Sequence, residues 1–150
     1  MEKLDRVLDE RYIRLELRAR RHLDAVRELA ELMQADEAID DPKSFLAYLI
    51  RKAQEGWASV GNGVALPHVH EDFINRERIA VAICRDGIDF GARDGELVRI
   101  IVLVATPKKH HKQHMQLLAA LARLLHQQEV RQALIEAPDA AAIIEVFRRK

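Results

Sequence analysis

Two periods of hydrophobic spacing run along this chain, and the switches between them mark its elements. Residues 2–10 are charged with sparse apolar positions, Leu4, Val7 and Leu8, which predicts a short helix. Ile13, Leu15, Leu17 and Ala19 then alternate with Arg14, Glu16, Arg18 and Arg20. That period of two predicts a strand with one buried face and a solvated arginine face. Over 21–33 the spacing turns helical, through Leu23, Val26, Leu29, Ala30, Leu32 and Met33. After a polar break at 34–40, Asp41-Pro42 reads as an N-cap followed by proline at the first helical position. Phe45, Leu46, Leu49 and Ile50 are the stripe of this second helix, and Gly56 suits its stop.

Residues 59–68 read SVGNGVALPH. Gly61-Asn62-Gly63 is a turn whose residues tolerate positive φ. Val64-Ala65-Leu66 is too short for a helix and suits a buried strand, and Pro67 holds its own φ near −65°. His68 is thereby expected at a strand end, on a stiff support, beside the glycine turn. Ile79, Val81 and Ile83 predict another buried strand, Asp86-Gly87 a hairpin turn, and Asp94-Gly95 a further turn after Ile88-Asp89-Phe90. Residues 97–104, LVRIIVLV, are the most strongly strand-like stretch, bounded by Pro107. Helical spacing returns over 109–126 (Met115, Leu118, Leu121, Ala122, Leu125) and in two shorter stretches, 129–136 and 140–148, with Asp139 as N-cap. The order β-α-α-β-β-β-α-α-α predicts an α/β chain: a mixed sheet flanked by helices on both faces, a three-layer α/β/α sandwich, in a single domain over 1–150.

Composition narrows the function classes. A chain of 150 residues, 49% hydrophobic and 32% charged, is an ordinary globular domain. Its 24 basic and 24 acidic residues balance, so no basic field points to nucleic acid or an anionic membrane. Cys84 is the lone cysteine, which excludes an internal disulfide and suggests a reducing compartment; in a buried strand it reads as inert. No apolar run approaches the ~20 residues that span a bilayer, and the charged N-terminus has no signal-peptide core. A cytoplasmic protein without membrane insertion is expected.

Histidine carries the candidate chemistry. Neutral imidazole is a competent nucleophile near pH 7, because its ordinary pKa is about 6.5. The residues alone leave His68 either as a nucleophile or as a structural histidine. His110, His111 and His114 fall at helical spacings, and His110 with His114 could hold zinc on one face. The glutamate of a zinc-protease helix is missing and no cysteine lies nearby, so no metal and no cofactor is expected. Trp57, just before the turn, suits either a partner contact or loop packing.

GNGVALPH resembles the active-site signature of the enzyme IIA domains of the fructose/mannitol class, from the bacterial phosphoenolpyruvate-dependent sugar phosphotransferase system. The nitrogen-regulatory branch of that family carries the same signature. The stretch IDF, the DG turn, the β-branched strand ending before proline and the helix LLAALARLL extend the resemblance over nearly all the chain. It implies a phosphotransferase component in which His68 accepts a phosphoryl group from the histidine-containing phosphocarrier protein. His68 would pass the group to a cysteine of an enzyme IIB partner for sugar uptake. Alternatively, as in the nitrogen-regulatory branch, the phosphorylation state would control binding to a regulatory protein target. The family's second histidine aligns with His114, which would hold a phosphoryl oxygen or position His68. Its arginine before the glycine turn aligns with Arg51, one residue out of step, either a phosphate contact or a plain surface arginine. Gly61, Asn62 and Gly63 would offer backbone N–H groups to the phosphate. Where the family has glycine after the active histidine, this chain has Val69, His70 and Glu71. His70 could compete for the phosphoryl group, and the departure could instead mark a relative that has lost phosphotransfer.

Overall fold

The computed structural model describes residues 4–55 and 59–149. After a single 3-10 turn at Leu4–Arg6 come β1 (Leu8–Arg14), α1 (His22–Met33), α2 (Pro42–Gln54), β2 (Ser59–Gly61), β3 (Val64–Ala65) and β4 (His68–Glu71). Then follow β5 (Arg78–Ile88), β6 (Val98–Pro107), α3 (His111–His126), α4 (Gln128–Ile135) and α5 (Ala140–Phe147). The strands form one six-stranded mixed sheet in the order β1-β5-β6-β3-β2, with β4 also paired to β6.

The alternation of side chains along β5 and β6 sorts the core into two layers. Ile79, Val81, Ile83, Ile100, Val102 and Val104 point to one face, where Leu117, Leu121, Leu134, Ile143 and Phe147 of α3, α4 and α5 cover them. Ala80, Ala82, Cys84, Ile101, Leu103 and Ala105 point to the other, under Val26, Leu29, Met33, Phe45 and Leu49 of α1 and α2. A strand buried on both faces reads as a continuous apolar run, which is why 97–104 looked so strongly strand-like. The result is the three-layer α/β/α sandwich. The N-caps expected at α2 and α5 are in place: Asp41 accepts from the Ser44 amide at 3.1 Å, and Asp139 from the Ala142 amide at 2.8 Å. Among the described residues no helix is long and apolar enough to cross a membrane.

Three local expectations are corrected. Of the short helix expected over 2–10, the described residues keep only the 3-10 turn at Leu4–Arg6: the strand begins at Leu8, pairing parallel with β5 through Leu8↔Ile79 and Ile13↔Val81. The alternation over 15–20 is real in its burial but makes no ladder, because the backbone N–H groups of Arg18 and Ala19 donate to the Glu28 carboxylate instead. Asp86-Gly87 is not a hairpin turn. It lies within β5 where the register slips between Ile83 and Ile88, and the chain reverses over 89–97. Gly87 has φ +79°, and a Cβ there would sit 2.6 Å from the Leu97 Cβ. Gly56 and Trp57 lie outside the described residues.

Candidate functional site

His68 opens β4 rather than ending a strand. The Pro67 carbonyl accepts from the Val104 amide at 2.9 Å. From there β4 runs parallel to β6, with His68 opposite Val104, Val69 opposite Ala105 and His70 opposite Thr106. Val69, fully buried, belongs to the core layer under α1 and α2. Strand alternation therefore turns His68 and His70 to the opposite face, toward α3. Val69 is thus a core residue, pointing away from His68. His114, in the first turn of α3, comes onto this same face and is 6% exposed.

The three rings form one cluster. His68 and His114 have centroids 5.8 Å apart at 50°, and His70 stacks on His114 at 4.0 Å and 11°. His68 Nδ1 lies 2.9 Å from the Leu66 carbonyl. A carbonyl only accepts, so Nδ1 carries the hydrogen and the lone pair belongs to Nε2. Thr106 Oγ1, fully buried, lies 2.7 Å from His114 Nδ1 and 2.9 Å from His70 Nδ1. Burial, reinforced by the His70, His68 and His111 rings, pushes the His114 pKa down to about 4. Its ring is therefore neutral near pH 7. His70 is lowered as well, first by burial and then by His111, whose ring centroid is 5.6 Å away.

The other candidates fall elsewhere. His110 turns to Glu77, with Nδ1 3.1 Å from Oε2, while His114 bonds Thr106, so the pair that could have held zinc is divided between separate partners. Among the described residues no three His, Cys, Asp or Glu side chains are arranged to hold a metal ion. Arg51, exposed in the last turn of α2, lies over the Tyr48 ring at 5.6 Å. Among the described residues it makes no ring or hydrogen-bond contact with the histidines. Burial raises the Cys84 pKa to about 12, keeping it a neutral thiol.

The glycine turn is not beside His68, which corrects that expectation. Gly61, Asn62 and Gly63 all have positive φ, and the Asn62 amide donates to Asp94 Oδ2 at 3.0 Å. β3 pairs Val64 with Ile100, whereas β4 pairs His68 with Val104. Those four positions along β6 span about 13 Å at ~3.3 Å per residue, and the turn lies beyond them. Its register bonds go to β6, where the Arg99 and Ile100 amides donate to the Gly63 carbonyl. The site residue that the sequence reading missed is Thr106. Its signal is a lone hydroxyl continuing the apolar row Ile100, Val102, Val104.

Comparison with known proteins gives a consistent picture. Residues 6–150 match the family described as phosphoenolpyruvate-dependent sugar phosphotransferase system, EIIA 2. The chain is 30% identical over 123 residues to a fructose-specific EIIA component from Haloferax volcanii, covering 82% of this chain and 80% of that one. It is equally 30% identical over 123 residues to a nitrogen regulatory protein from Bradyrhizobium diazoefficiens, with the same coverage. Against the fructose-specific EIIABC component of Bacillus subtilis it is 22% identical over 98% of its own length but spans only 23% of that protein. Among solved structures it superposes on nitrogen regulatory protein IIA-Ntr from Neisseria meningitidis with a TM-score of 0.87 at 21% identity, covering 95% and 97% of the two chains. It also superposes on Escherichia coli mannitol enzyme IIA, solved in complex with phosphorylated enzyme IIB, with a TM-score of 0.79 at 17% identity, covering 93% and 95%.

Proposed function

The chain belongs to the EIIA 2 family of the phosphoenolpyruvate-dependent sugar phosphotransferase system, and from that premise we propose that it is a phosphoryl carrier whose accepting group is His68. The observation that carries this reading is the bond from His68 Nδ1 to the Leu66 carbonyl at 2.9 Å, which directs the nucleophilic lone pair to Nε2. In the transfer, an N–P bond forms at His68 Nε2 as the N–P bond to the donor histidine breaks. The phosphorus lies in line between the two nitrogens. The donor is the histidine-containing phosphocarrier protein. The group then leaves His68 for a cysteine sulfur of an enzyme IIB domain, and a solved complex of a fold relative with phosphorylated IIB supports such a domain as the partner. The reaction takes place in the cytoplasm and needs no metal or cofactor.

His114 suits the second role. A neutral imidazole can donate one hydrogen bond to a phosphoryl oxygen without adding a full positive charge. A cation would bind the phosphorylated ground state more tightly and slow its departure. Arg51 is a surface arginine while it lies over Tyr48; a phosphate contact requires its guanidinium to leave that ring. The glycine turn has a structural role here, setting β3 on β6.

The equal identity to a nitrogen regulatory protein favours a second destination for the same chemistry. In that reading the phosphoryl group on His68 changes affinity for a regulatory protein and is not passed to a sugar transporter. Incubation with phosphoenolpyruvate, enzyme I and the phosphocarrier protein, followed by intact mass, tests the shared step. One acid-labile phosphate on the wild type, absent from His68→Ala, is expected. Label that survives in His68→Ala and vanishes in His70→Ala would move the acceptor to His70, and an unlabelled wild type would contradict the carrier reading. Adding an enzyme IIB domain separates the destinations: discharge to its cysteine is the transport outcome.

A further inference from the structure

Thr106 has one hydroxyl hydrogen and two imidazole nitrogens to satisfy. It is fully buried, so water cannot substitute for either. The hydroxyl has one hydrogen and two lone pairs, so it can accept from both rings, or donate to one Nδ1 and accept from the other; only the second uses its hydrogen within the cluster. The shorter of the two contacts is the one to His114. Hydrogen bonds donated by a hydroxyl are typically ~0.2 Å shorter than those donated by N–H. The 2.7 Å contact to His114 Nδ1 fits O–H donating, and the 2.9 Å contact to His70 Nδ1 fits N–H donating. The order is then His70 Nδ1–H to Thr106 Oγ1, and Thr106 Oγ1–H to His114 Nδ1. With its Nδ1 already accepting, neutral His114 carries its hydrogen on Nε2.

We propose that Thr106 and His70 are positioning residues that lock His114 as the Nε2–H tautomer, so that it presents a donor to a phosphoryl group on His68. This rests on the carrier reading above. The two working rings are then set oppositely by separate partners. The backbone carbonyl of Leu66 makes His68 present a lone pair, and the Thr106 hydroxyl makes His114 present a hydrogen. If His114 carried its hydrogen on Nδ1, its other nitrogen would face the phosphoryl oxygens with a lone pair, and the contact would be repulsive.

The lock tolerates changes of charge nearby. His70 can take a second proton on Nε2 and still donate from Nδ1, so protonating it does not reverse the chain of bonds. The charged groups acting on His70, namely His111, Glu71 and Lys108, alter its charge but not its role as donor. Parallel stacking at 4.0 Å holds its ring against His114. The strand register does the rest, since His70 lies opposite Thr106 in the β4–β6 ladder. His70 thus acquires a task that does not involve carrying phosphate.

Long-range proton–nitrogen NMR on 15N-histidine-labelled protein reads the tautomers directly, with the phosphotransfer rate measured in parallel. In the wild type, His114 is expected as a single Nε2–H form. Thr106→Val keeps the branched shape on its strand and removes the hydroxyl. It should leave His114 as a mixture of tautomers and slow phosphorylation of His68 roughly tenfold, through a buried acceptor left unsatisfied. Thr106→Ser restores the hydroxyl and should recover both readouts. A wild-type His114 in the Nδ1–H form overturns the proposal without any variant. So does a Thr106→Val protein with unchanged tautomer and rate. A wild type that takes no phosphate on His68 sinks the carrier reading instead, and the spectra still decide the lock.

Discussion

A buried neutral histidine leaves a mark on stability. The unfolded chain protonates His114 near its ordinary pKa of 6.5, while the native state resists until about 4. Between those values the unfolded state binds more protons, so stability falls as pH falls through the window and levels off below it. His70, lowered for the same reason, adds in the same direction. The His114 contribution is at most about 3 to 4 kcal/mol, from ~1.4 kcal/mol per pKa unit over the shift from 6.5 to about 4. Denaturant unfolding at pH 7 and pH 4.5 should therefore show a steeper loss for the wild type than for His114→Gln; equal losses would mean the ring is not held neutral. The candidates His68 and His114 could be read from the chain, through the signature GNGVALPH and the helix HMQLLAALARLL. Thr106 shows in the chain only as a lone hydroxyl in an apolar row, because its meaning depends on lying opposite His70 across two strands that are distant in sequence. Local patterns do not encode that register.

At the scale of elements, the β5 bulge is where sequence and structure part most instructively. Asp-Gly is the commonest short hairpin signal, yet here the positive φ of Gly87 serves a slip of register inside a continuous strand. Gly87→Ala meets both a strained backbone and the Leu97 side chain, whereas Gly91, with φ +68°, would meet nothing within 4 Å. Chemical denaturation should find Gly87→Ala costing roughly 2–3 kcal/mol and Gly91→Ala only about 1 kcal/mol. Equal costs would show that the bulge can relax. The first strand teaches a similar lesson. Leu15, Leu17 and Ala19 alternate because they pack inward, but Glu28 takes the backbone donors a ladder would need. Periodicity reports burial; it does not report where the N–H groups go.

For the whole molecule, the layer architecture was legible because β5 and β6 are apolar on both faces and amphipathic helices come before and after them. The sheet order was not, and the short strands β2 and β4 went unread as strands, since three or four residues carry no clear period of their own. That topology separates the glycine turn from the histidines and gathers His68, His70 and His114 under one end of α3. On the carrier reading, this fold makes His68 Nε2 the phosphoryl acceptor. The most direct test is long-range nitrogen NMR with phosphorus coupling on the 15N-histidine-labelled, phosphorylated protein. Phosphorus is expected on Nε2 of His68, with Nδ1 still protonated against the Leu66 carbonyl. Phosphorus on Nδ1 of His68, or on either nitrogen of His70, would contradict it.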